Sequence, residues 1–96
     1  MIVRYTPRAE ADLADIATYL LERSPSGARA VRASIERTIA ALAIYPRLGR
    51  AQRLPGVRKA VVRSYPYAIY YRQDSAAGAL DILAIRHTSR QSTGWE

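Results

Sequence analysis

Ninety-six residues without a cysteine make one small domain, held by a single apolar core, with neither a disulfide framework nor a cysteine-based zinc site available. One histidine is too few for most other metal centres, no cofactor motif appears, and no apolar run approaches the ~18 residues needed to cross a bilayer. Fourteen arginines and one lysine against eight acids give a net charge of +7, which calls for an anionic partner, either nucleic acid or an acidic protein segment.

Ile2-Val3-Arg4-Tyr5 has the composition of a short first strand and lacks the apolar run of a signal peptide, so a soluble cytoplasmic protein is the expectation. Thr6-Pro7 offers a helix cap followed by proline at the first helical position, with Glu10, Asp12 and Asp15 placed near the positive helix end. Leu13, Ile16, Ala17 and Leu20 recur at helical spacing through about residue 23. Ser24-Pro25 or Ser26-Gly27 breaks the chain and caps a second helix, whose stripe is Ala28, Val31, Ile35, Ile39 and Leu42, continuing towards Tyr45. The connection is short, which predicts an antiparallel helical hairpin whose stripes are core.

Pro46, Gly49, Pro55 and Gly56 punctuate a connecting loop, after which the pattern turns strand-like. Candidate strands run over 57–65, 67–74 and 80–87, with Ala76-Ala77-Gly78 as a hairpin turn and Pro66 as a tight turn or an edge feature. The order predicts an α+β domain: an N-terminal strand, then an antiparallel helical hairpin packed on a mostly antiparallel sheet completed by three C-terminal strands. Residues 1–96 form one domain, with 91–96 a loose tail from which Trp95 could dock.

Charge divides the chain at the Tyr45–Arg50 junction. Residues 1–46 carry about +1 and residues 47–96 about +6, and no acid falls between Arg47 and Arg72. The cationic half supplies Arg47, Arg50, Arg58, Lys59, Arg63, Arg72, Arg86 and Arg90 as candidate residues for binding an anionic target or partner. Grouped arginines hold phosphates or a developing negative charge, and His87 could transfer protons near neutral pH. Alternation puts Arg86 and His87 on opposite faces, and the structural role for His87 is a strand-end residue sharing a face with Leu83 and Ile85. Tyr65, Tyr67, Tyr70 and Tyr71 among arginines suggest a base-stacking surface. Because the chain has no phenylalanine, at least half of these rings are expected in the core; Tyr67, Ile69 and Tyr71 share one face and Tyr70 the other.

These residues resemble the RelE/ParE superfamily of type II toxin–antitoxin toxins, and within it the ParE-like branch. Tyr5-Thr6-Pro7-Arg8-Ala9-Glu10-Ala11-Asp12-Leu13 with Ile16 and Tyr19 is similar to the family's opening helix, and Pro46-Arg47-Leu48-Gly49-Arg50 to the turn after its hairpin. Val57-Arg58-Lys59, Tyr67, Ile69, Tyr71-Arg72 and Ile82-Leu83-Ala84-Ile85-Arg86-His87 with Arg90 are similar to its closing strands. The resemblance implies a RelE/ParE-like fold and a cytoplasmic growth-inhibiting toxin, bound in a hetero-oligomer by the acidic, amphipathic C-terminal segment of a cognate antitoxin. It also implies a choice of target. Ribosome-dependent nucleases of the superfamily cleave mRNA with basic residues on the sheet, and Lys59 fits one such position. Ala68 stands where their middle-strand arginine would be, and no tyrosine follows Arg90. A further subgroup pairs glutamate with histidine; His87 matches the histidine, but residues 47–72 contain no glutamate. ParE-like members instead inhibit DNA gyrase and are not enzymes, and the missing residues lean that way. The alternative is a ribosome-dependent mRNA endonuclease using Arg63, Arg86, His87 and Arg90; a third reading is a basic binding module without toxicity.

Overall fold

Seven elements appear in chain order in the computed structural model, which describes residues 1–89. They are β1 (Ile2–Tyr5), α1 (Pro7–Leu21), α2 (Pro25–Ile44), β2 (Arg50–Ala51), β3 (Val57–Val61), β4 (Tyr67–Asp74) and β5 (Ala79–His87). Arg90, the tail 91–96 and the docking expected of Trp95 lie outside the described residues. The five strands form one sheet in the order β1-β5-β4-β3-β2, antiparallel except for β1, which runs parallel to β5.

Both helix starts are written locally. The Thr6 hydroxyl accepts from the Ala9 amide at 3.1 Å and the Ser24 hydroxyl from the Gly27 amide at 3.1 Å, each followed by proline at the first helical position. Ser24, not Ser26, is therefore the cap. The α2 stripe of Ala28, Val31, Ile35, Ile39 and Leu42 is buried as its spacing demands. From α1, Ala9 is buried, and Leu13, Ile16 and Leu20 pack partly buried against the same core, which includes Tyr67, Ile69, Tyr71, Leu80 and Ile82. Tyr70 lies in a second cluster with Val57, Ala68 and Ala84 on the sheet face away from the helices. Three of the four clustered tyrosines are thus buried, divided between faces as alternation requires.

Three expectations need correction. The strand expected over 57–65 ends at Val61, because Ser64 adopts φ 71° and the chain turns back through Pro66. The loop expected after Pro46 contains the two-residue edge strand β2, too short to leave a periodic signal. The third departure is in β5, where Tyr70 pairs with Ala84 but Tyr71 with Ile82, leaving Leu83 as a bulge. The extra residue resets the alternation. Leu83 joins the Tyr70 cluster, while Ile85 lies in the main core and His87 meets Tyr67 edge-on at 5.5 Å. His87 therefore shares a face with Ile85 but not with Leu83.

The start of α1 holds that bulge. The Thr6 hydroxyl donates to the Leu83 carbonyl at 3.1 Å, and Asp12 accepts from the Ile85 amide at 2.9 Å. Asp12 does more than favour a helix end: its carboxylate accepts from a backbone amide two residues past the bulge.

Strand β1 is tied from its side chains as well as its backbone. Arg4 donates to both Asp81 oxygens, at 2.6 and 3.0 Å, and to Asp74 at 3.0 Å. The hydrogen bond from Arg4 holds the Asp81 carboxyl below its ordinary range, with partial opposition from desolvation. A depressed carboxyl contributes stability above its unfolded pKa, about 4, and loses it as pH falls through the folded value. The melting temperature of the wild type should therefore fall more steeply than that of Asp81→Asn between about pH 5 and pH 2. Parallel curves for the two proteins would show that the tie contributes nothing.

Candidate functional site

Cross-strand register assigns side chains to faces, because directly paired residues project to the same side. On the face away from the helices, three rungs of the sheet carry the basic side chains. Arg50, Lys59, Tyr70 and Ala84 form one; Val57, Arg72, Asp81 and Arg4 another; Val61, Ala68 and Arg86 the third. Arg4 is matched by Asp81 and Asp74, so the face keeps a net positive charge, to which Arg50, Lys59 and Arg72 contribute. The Lys59 ammonium stands 5.9 Å from the centroid of the Tyr70 ring. Val61 lies exposed between these cations. The face can bind an anionic surface by charge and also cover apolar area.

The remaining sequence candidates lie elsewhere. Arg58 pairs with Tyr71 and Ala51 on the helix side, where its guanidinium donates to the Gly49 carbonyl at 2.8 Å. Arg47 is exposed in the turn after α2. Arg63 lies beyond the end of β3, and its carbonyl accepts from the buried Ser34 at 3.2 Å. Arg90 falls outside the described residues. His87 stands on the helix side of the sheet, at a polar cleft of about 470 Å³ that Asp12, Asp15, Tyr19, Tyr67, Ile85 and Arg86 also line. Its Nδ1 lies 2.7 Å from the Ser89 hydroxyl and accepts from the Ser89 amide at 3.2 Å. Among the described residues no cluster of three His, Asp or Glu side chains could hold a metal ion.

Sequence reasoning missed the interior partner of the Pro46–Gly49 turn. The Tyr71 hydroxyl accepts from the Gly49 amide and donates to the Pro46 carbonyl, both at 2.8 Å. Burial pushes the Tyr71 phenol above its usual range, against the opposing effects of the Gly49 bond and the Arg58 charge. A tyrosine on the predicted core face of β4 was the available signal; its hydroxyl had to find a partner.

A second recess, about 610 Å³, runs along the helical hairpin and is mainly apolar, with Leu13, Ala17, Leu20, Ala28 and Val31 in its lining together with the charged Glu10, Arg29, Arg32 and Glu36. No helix among the described residues is long and apolar enough to cross a membrane.

The chain has relatives. A family model described as the ParE toxin of type II toxin–antitoxin systems, parDE, matches residues 3–92. The toxin candidate Y4kP of Sinorhizobium fredii is 35% identical over 89 residues, covering 93% of this chain and 90% of the relative. The chromosomal ParDE toxin–antitoxin system of P. aeruginosa includes a chain that superposes with a TM-score of 0.77 at 24% identity, covering 91% of this chain and 95% of that one. The intact E. coli RelBE toxin–antitoxin complex includes one with a TM-score of 0.69 at 15% identity, covering 93% and 98%. At those identities the two structures establish the shared α+β fold.

Proposed function

The chain belongs to the ParE toxin family of type II toxin–antitoxin systems, and from that premise we propose that it arrests growth by binding and inhibiting DNA gyrase, without bond-breaking chemistry of its own. The observation that carries this reading is the separation of most sheet cations from its one histidine, beside which Arg86 alone of the basic-face residues lines the cleft. Arg50, Lys59 and Arg72 project from the helix-free face, whereas His87 stands on the helix side against Tyr67. A nuclease centre needs a proton-transfer group within about 3 Å of the ribose hydroxyl it activates, with cations around the same phosphate. Arg63 lies beyond β3 and does not join His87 in the cleft. Binding needs no such convergence.

Purified toxin should block gyrase supercoiling or trap cleaved DNA; folded toxin that leaves gyrase activity unchanged would remove the reading. His87→Ala should keep growth arrest within about twofold of wild type. General acid–base groups contribute roughly 10²–10⁴ in rate, so a nuclease dependent on His87 would lose its toxicity. Codon-associated mRNA cuts soon after induction, absent in His87→Ala, would establish the endonuclease instead.

The second partner is a cognate antitoxin, as the complexed toxins of the same fold suggest. The hairpin recess fits an amphipathic helix by its mainly apolar lining, in which Arg29 and Arg32 are balanced by Glu10 and Glu36. The basic half of the chain would speed the encounter by electrostatic steering.

A further inference from the structure

The turn between α2 and β2 is held more firmly than a connection requires. Two interior side chains grip its backbone: Tyr71 bridges Gly49 and Pro46, and Arg58 takes the Gly49 carbonyl. What this grip presents outward is apolar. Ile44, Tyr45 and Leu48 are 69%, 63% and 62% exposed, among the most exposed large apolar side chains of the described residues, and they fall within five positions. Scattered apolar side chains are ordinary on a surface, but three within five positions, at the end of α2 and on the fixed turn that follows it, are a concentrated patch. Arg47, Arg50 and Arg53, close to them in the chain, are exposed, and no Asp or Glu occurs from residue 37 to residue 73.

We propose that this knuckle is a contact surface for an acidic protein segment that also carries apolar side chains, belonging to the target the toxin inhibits. The inference rests on the reading that the toxin acts by binding a protein. Charge complementarity selects the occupant. A second copy of the chain would set Arg47, Arg50 and Arg53 against their own duplicates, an unfavourable juxtaposition. Nucleic acid would satisfy the arginines and stack on Tyr45, but Ile44 and Leu48 offer neither a π-face nor a hydrogen bond. A membrane surface is usually met by an amphipathic helix, not by a turn with three apolar side chains. An acidic segment meets both demands, its carboxylates pairing with guanidinium forks while its apolar groups cover Ile44, Tyr45 and Leu48. Because the turn is already fixed, little ordering is needed on this side of the contact.

The knuckle does not line the hairpin recess, whose last lining residue is Glu36. Target contact and antitoxin docking can therefore be separated. In the full chain, Tyr45→Ser/Leu48→Ser removes apolar area and Arg47→Glu/Arg53→Glu reverses the charge. Each double variant should raise the inducer level for half-maximal growth arrest about tenfold. Melting temperature and antitoxin affinity should stay at wild-type values. Growth arrest unchanged in both variants would overturn the proposal, as would binding of wild type, but not of the variants, to anionic phospholipid vesicles or to RNA. The same proteins assayed on purified gyrase test the target separately. If wild type leaves gyrase untouched while the variants still lose growth arrest, the gyrase reading fails and the knuckle stands.

Discussion

Gly49→Ala is expected to destabilise the domain by roughly 3–5 kcal/mol, a large share of the 5–15 kcal/mol typical of a whole domain. A β-carbon at this position would sit 2.5 Å from the Tyr71 hydroxyl oxygen, 2.8 Å from its Cε1 and 2.9 Å from the Lys59 carbonyl oxygen. Two of those contacts cannot swing away: the ring belongs to a side chain 1% exposed and the carbonyl to a strand backbone. Relief requires moving the turn outward, which breaks the bonds from Gly49 to Tyr71, from Tyr71 to Pro46 and from Arg58 to Gly49. Thermal unfolding should show a fall of more than about 10 °C, since 1 kcal/mol corresponds to roughly 4–8 °C in a domain of this size. Tyr71→Phe alone, which orphans the Gly49 amide and the Pro46 carbonyl, should cost about 1–3 kcal/mol. The double variant should cost clearly less than the sum, because deleting the hydroxyl removes the nearest clash. Strict additivity, or a Gly49→Ala melting temperature within 2 °C of wild type, would show that the turn is not held from inside.

The same residues show what a one-dimensional reading reaches. Thr6, Ser24, the α2 stripe and the opposition of Tyr70 to Tyr67 and Tyr71 are local matters, set by caps and by periods of 3.6 and 2. They leave their mark in adjacent residues. The bulge at Leu83 leaves none, because the side chains that bind the backbone around it, Thr6 at Leu83 and Asp12 at Ile85, lie 77 and 73 positions away. An unbroken apolar run from Ile82 to Ile85 looks the same whether or not one residue steps out of register. The parallel pairing of β1 with β5 is likewise long-range, fixed by Arg4 with Asp81 and by the hairpin between them.

Within the candidate site, composition identified the cations, but their grouping had to come from register. Arg58 and Lys59 are neighbours with opposite fates. Lys59 faces outward beside Arg50 and Tyr70, while Arg58 turns inward to the Gly49 carbonyl. Alternation separates the two; only the distant turn says which side is the interior. His87 shows the converse. Alternation set it opposite Arg86, and the bulge, by resetting the count at Leu83, determined its companions.

Register also dictates the test of the basic face. Lys59→Glu combined with Arg72→Gln is expected to weaken gyrase inhibition about 100-fold, close to 2.7 kcal/mol, with little change in melting temperature. The two positions face the same side on adjoining rungs. Lys59 tolerates reversal because its described contact is the long approach to Tyr70. Arg72 should be neutralised and not reversed. It pairs with Asp81, whose charge it helps to stabilise, and a second carboxylate there would loosen β4 from β5. If the face acts through charge, inhibition by wild type should weaken as salt rises, and the variant should respond less to salt. The recess proposed for the antitoxin lies on the helical hairpin, so neutralisation should survive the substitutions. A folded double variant that inhibits gyrase as wild type does would show that the helix-free face is not the contact. A variant that loses inhibition with an unaltered salt response would place the loss in shape and apolar contact, and so towards Val61 and the rigid turn.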